Sequence, residues 1–123
     1  MTAITNQQGE TIAYLHLNII LNPERDTVWG LILGNCVFGE TEAPVGKFFK
    51  DSFRGMNGEI IAELGTETSS ERPSNEPAIL KQAWAKLTAV KNHLCMWVEE
   101  KNKWSDESLE HFLRLSHRSA IAV

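Results

Sequence analysis

Cysteine is scarce in this chain: Cys36 and Cys95 are the only two in 123 residues. They lie far apart and outside any C-x-x-C pair, which excludes a disulfide-stapled miniprotein and a zinc-ribbon spacing. Both are expected to be reduced and buried. Basic charge is also short, with twelve Lys or Arg against sixteen Asp or Glu and a net charge of −4. That balance disfavours general nucleic-acid binding. No apolar run approaches the roughly 20 residues of a bilayer span, and the longest, Val28 to Phe38, contains Asn35. The opening stretch Met1 to Glu10 has neither a basic residue nor an apolar core, so no signal peptide is expected. The expected setting is cytoplasmic, with no membrane contact. No G-x-S-x-G element and no phosphate-binding glycine loop is present.

What is there points to a folded domain. Hydrophobic content of 42% with 23% charge excludes wholesale disorder and suits a single domain over 1–123, with a flexible N-terminus over 1–10. All eight glycines fall at or before Gly65, whereas the clearest helical periodicity follows Pro77. A β-rich half and a helical half are therefore expected, joined by a loop over 65–76.

A long amphipathic helix is expected from about Pro77 to about Lys101, capped by Ser74 or Asn75. At 100° per residue it gathers Ile79, Leu80, Ala83, Trp84, Leu87, Val90, Leu94, Cys95, Trp97 and Val98 on one arc of roughly 160°. Lys81, Gln82, Lys86, His93 and Glu99 take the solvated face. A last helix is expected to start at Ser105, with Trp104 stapled onto Leu109.

Upstream, Thr11–Leu21 and Thr27–Phe38 read as strands around the turn Asn22 to Asp26. Asn57-Gly58 marks a second hairpin between Lys47–Met56 and Glu59–Leu64. Residues 45–56 fit either a strand or a short helix, strand being favoured. The expected fold is α+β: an antiparallel sheet of about four strands, covered on one face by two antiparallel C-terminal helices.

Candidate chemistry depends on the first hairpin. If Leu21 faces Thr27, Tyr14 opposes Gly34 and Asn18 opposes Gly30, leaving a groove lined by Tyr14, His16, Asn18, Gly30 and Gly34. There His16 could act as a general acid or base with Tyr14 as hydrogen-bond donor. The same residues also fit a plainer packing in which Tyr14 covers Gly34 and His16 is a satisfied structural histidine. His111 and His117 are six apart, which breaks the i, i+4 metal pair, so no metal and no cofactor is expected.

The wide helical arc implies a second contact, with Trp84 and Trp97 at an interface. Charge divides unevenly, −6 over residues 1–76 and +2 over 77–123, which can steer one copy towards another. The expectation is a homodimeric, non-enzymatic binding or interaction protein holding a small apolar or aromatic ligand or a protein partner. The alternatives are a small enzyme using His16 with Tyr14 and, more weakly, a nucleic-acid-binding regulator.

Overall fold

The computed structural model describes residues 1–40, 43–68, 72–73, 75–90 and 98–114. Eight antiparallel strands run in chain order and close on themselves as a barrel. They are β1 (Thr2–Thr5), β2 (Thr11–His16), β3 (Ile19–Leu21), β4 (Val28–Leu33), β5 (Cys36–Phe38), β6 (Pro44–Phe49), β7 (Ser52–Gly55) and β8 (Ile60–Thr68). Helix α1 (Glu76–Ala89) follows, and a second helix, α2, covers 109–114.

This corrects the expected α+β sheet of about four strands. Each long apolar stretch is two strands folded back through a tight two-residue turn. Thr11–Leu21 breaks at Leu17-Asn18, with Leu17 in the left-handed region at φ 57°. Thr27–Phe38 breaks at Gly34-Asn35. Residues 45–56 are indeed strand, but Lys50 and Asp51 turn the chain with φ 51° and 61°, as a type I′ hairpin requires. Closure comes from β1 pairing with both β2 and β8, Ile4 facing Ala13 on one side and Leu64 on the other. β1 thus occupies part of the stretch expected to be a flexible N-terminus.

Cross-strand partners identify the interior. Leu15 faces Ile20, Ile20 faces Gly30, Ile32 faces Val37, Val37 faces Gly46, Gly46 faces Gly55 and Phe53 faces Ala62. Ile4, Ala13, Ile20, Ile32, Val37, Val45, Phe53, Ile61 and Ala62 build one buried cluster, with Leu15 packed against it, which fills the barrel with side chains. The stagger of a closed barrel shows at the turns: Asn18 O, Asn35 O and Asp51 O accept from the N–H groups of Ile32, Phe48 and Leu64 at 2.8 to 2.9 Å. In each case the donor lies one strand beyond the hairpin.

The opposite end is closed by the C-terminal segment. Arg54 on β7 is buried and donates to Gly58 O and Lys101 O at 2.8 and 2.6 Å. Ile60 and Trp104 form a parallel bridge, with Ile60 N–H donating to Lys103 O and Ser105 N–H to Ile60 O, both at 2.8 Å. Residues 98–108 therefore strap the rim and deliver α2 into the mouth, where Leu109, Phe112 and Leu113 join the interior cluster.

Inward glycines make room for them. A Cβ on Gly46 would stand 2.4 Å from Phe112 Cζ, and one on Gly30 would stand 2.4 Å from Phe38 O and 3.2 Å from Leu113 Cδ2. The helix starts later than expected, with Ser108 Oγ, not Ser105 Oγ, accepting from His111 N–H at 3.1 Å.

The two helices contact different surfaces and do not form the expected antiparallel pair on one face. α1 lies outside β3 and β4, with Ile79 and Ala83 against Ile19, Leu21, Val28 and Leu31. It stops at Ala89, where Val90 turns extended (φ −69°, ψ 122°), and residues 98–103 already belong to the strap. Leu94, Cys95 and Trp97 of the expected longer helix lie outside the described residues. No helix among the described residues is long and apolar enough to cross a membrane.

Candidate functional site

The register overturns the geometry expected around His16. The β3–β4 hairpin pairs Leu21 with Val28 and Ile20 with Gly30, an irregularity intervening. Across β2 and β3, Tyr14 faces Leu21 and His16 faces Ile19. Leu21 and Ile19 belong to the cluster beneath α1, so Tyr14 and His16 sit on the outer wall, whereas Gly30 faces inward against Leu113. Gly34 turns at φ 61° with nothing within 4 Å of its missing Cβ. The barrel wall therefore lies between Gly30 and the side chains of Tyr14 and His16.

His16 has a different neighbour. Its Nε2 lies 2.8 Å from Glu76 Oε2, and the other oxygen of Glu76 accepts from Arg72 at 3.1 Å. The imidazole is buried, and the contact pins the first turn of α1 to the end of β2. Tyr14 carries the Arg25 guanidinium over its ring at 5.2 Å. A second pin comes from Gln82, whose Oε1 accepts from Val28 N–H at 3.0 Å and whose Nε2 donates to Asp26 O at 3.4 Å. Helix propensity alone does not hold a 14-residue helix in water. These polar anchors and the burial of Ile79 and Ala83 fix α1 in one place.

A groove of about 310 Å³ runs between the pinned helix and the outer face of β3 and β4. Ile19, Leu31 and Leu33 form one wall, with Leu80, Ala83, Trp84 and Leu87 forming the other. Asn18 supplies the one polar side chain of the lining. Trp84 is 66% exposed and Leu80 45%, which is unusual for side chains whose transfer out of water is worth about 1.5 to 3 kcal/mol when complete. Such a lining can hold an apolar group by desolvation and offers nothing for proton transfer.

Of the expected contact residues, Trp84 is at this groove, and Trp97 lies outside the described residues. Asn18, expected in a ligand groove, also lines this one, whereas Ile19, Leu31, Leu33, Leu80, Ala83 and Leu87 were missed as groove residues. Leu80 was legible as a neighbour of Trp84 on the helical arc, while Leu33 depended on a turn at Gly34 that the sequence reading had assigned to a groove.

Two further positions depart from expectation. Lys86, placed on the solvated face, is half-buried, and burial lowers the pKa of its amine despite the opposing field of Glu40. Cys36, expected to be reduced, is buried and disulfide-bonded. The only other cysteine of the sequence, Cys95, lies outside the described residues. Among the described residues no cluster of three His, Cys, Asp or Glu side chains could hold a metal ion. Compared with protein-family models, curated proteins and solved structures, the chain matches none.

Proposed function

We propose that this chain is a non-enzymatic interaction protein that pairs with a second copy of itself across the α1 groove. The observation that carries the reading is a knob beside a hole on one face: Trp84 stands mostly exposed at the lip of a groove lined almost wholly by apolar side chains. A two-fold axis brings such a surface against itself, so each Trp84 reaches the partner's groove. An aromatic anchor seated in a pocket is also the usual centre of binding energy at an interface. The groove holds neither Tyr14 nor His16, and the contact of His16 with Glu76 is accounted for by the docking of α1. The acid–base alternative therefore gains no support from it.

Sedimentation velocity across the micromolar range tests the proposal. Mass should rise with concentration, and Trp84→Glu should return the protein to a folded monomer whose melting temperature no longer depends on concentration. A monomer mass independent of concentration would sink the dimer. If that monomer saturably binds an apolar dye, and Leu80→Gln removes the binding, the groove serves a small apolar ligand, for which its volume is also adequate. An oxidising compartment suits the chain better than the expected cytoplasm, because the cystine at Cys36 is of a kind that persists mainly outside the reducing cytosol.

A further inference from the structure

A second cavity, of about 470 Å³, opens at the strapped end of the barrel, between the β1–β2 loop and the start of α2. Its apolar surface comes from Ile12, Trp29 and Ile61 of the barrel, Trp104 of the strap and Leu109 of α2. Its volume falls within the range of about 300 to 1,000 Å³ typical of small-molecule sites. Both walls are built before any ligand arrives. On one side Asn6 Oδ1 accepts from Gln8 N–H and Glu10 N–H at 3.0 and 2.9 Å, and Gly9 completes the loop at φ 80°. On the other, Ser105 is bonded to Ile60 and its hydroxyl accepts from Glu107 N–H at 3.1 Å. Such preorganisation lowers the ordering cost of binding.

Among neutral Asn6, Gln7, Gln8, Ser105 and Ser108, the charged residues of the lining have one sign. Asp106, Glu107 and Glu110 contribute carboxylates, and no Lys, Arg or His lines the cavity. Glu107 meets His111 at 2.8 Å and Glu110 lies 3.7 Å from Arg114, both partners standing outside the lining. An anionic ligand would meet repulsion here, and a neutral one would leave the carboxylates unused. A cation with a flat apolar body matches both the apolar and the charged residues of the lining, its ring against aliphatic and indole side chains and its charge beside acidic residues and indoles.

We infer that this rim cavity binds a small organic cation with an aromatic body, such as an aryl-substituted quaternary ammonium, at a site separate from the α1 groove. Acidic residues near the start of α2 also suit its dipole, so the test must separate a ligand site from a purely structural arrangement. Benzyltrimethylammonium, benzyl alcohol and phenylacetate share a ring and differ in charge. Titrating each into the full chain while following the indole N–H resonances should show saturable shifts of Trp29 and Trp104 with the cation. Binding should be roughly tenfold weaker with the alcohol and absent with the acid.

Glu110→Gln changes an exposed side chain and should weaken the cation severalfold while leaving the melting temperature and the alcohol's affinity unchanged. Absence of saturable binding of the cation would overturn the inference. So would equal affinity for cation and alcohol, or shifts confined to Trp84. None of these outcomes bears on the sedimentation result, so this inference and the dimer stand or fall separately.

Discussion

Phe112→Ala tests whether α2 is a structural plug. The described part of α2 has six residues, far too few to be stable alone. Its position therefore depends on Leu109, Phe112 and Leu113, of which Phe112 is the largest and is 1% exposed. Removing a buried phenyl ring costs about 3 to 5 kcal/mol, more where the surroundings cannot collapse. They cannot easily do so here, because the ring sits over Gly46 in a hydrogen-bonded, closed sheet. A cost of about 4 kcal/mol is expected, against a typical total stability of about 5 to 15 kcal/mol.

Urea denaturation gives the magnitude, and amide exchange shows where the loss falls. Protection should drop first at residues 109–113 and in the strap, with β2 to β7 retaining theirs until global unfolding. Leu80→Ala is the control, expected within about 0.5 kcal/mol of the parent because the side chain is already 45% exposed. A Phe112→Ala cost below about 1 kcal/mol, or unchanged exchange in 109–113, would refute the plug.

Leu17→Gly should stabilise the chain by about 0.5 to 1 kcal/mol in the same urea assay. It relieves a left-handed leucine at the expense of chain entropy, and the lost side chain is 73% exposed. Lys86→Met should raise the urea midpoint at pH 7, since burial lowers the lysine pKa and the folded chain carries a penalty for the charged amine. That penalty is fully present below the folded pKa and relieved as pH rises towards the usual 10.5, so the variant's advantage should shrink in alkaline buffer. Asn22→Ala should raise the Asp26 pKa towards 3.8 in an NMR titration, because the asparagine amide donates to that carboxylate at 2.7 Å and is the main cause of its lowering. The small stabilisation lost would be one present above pH 3.8 and abolished as pH falls through the folded value. Non-reducing peptide mapping should recover Cys36 in a disulfide, and reduction should lower stability by about 2 to 4 kcal/mol.

Strand character over 11–21, 27–38 and 47–64 was legible because Ile, Val and Phe cluster there between turn residues. The Asn57-Gly58 hairpin was legible for the same reason, and Pro77 marked the start of α1. Strand number was not. Leu17 and Lys50 take positive φ in their turns although their residue types rarely accept it, and no local pattern announces a leucine or lysine in that role. Nor does any local period encode the pairing of Ile4 with Leu64, which turns a sheet into a barrel. The helix was overextended because Val90, Leu94 and Val98 continue the helical period, whereas in the structure the chain leaves the helix at Val90.

The unread turn at Leu17-Asn18 also accounts for what happened to the candidate site. Alternation assigns Ala13, Leu15, Ile19 and Leu21 to one face only if the strand is continuous. A two-residue turn changes the pairing partner, so Ala13, Leu15 and Ile20 face the interior while Ile19 and Leu21 face out beneath α1. Tyr14 and His16 keep their shared face but lose Gly30 to the other side of the wall. The exposure of Trp84 is independent of strand register: Ile79 and Ala83 claim the barrel, which rotates Leu80 and Trp84, grouped with them on one apolar arc by the helical period, towards solvent. Which residues of α1 share an arc was therefore readable from the helical period, whereas the end of the helix at Val90 and every feature set by pairing between elements were not.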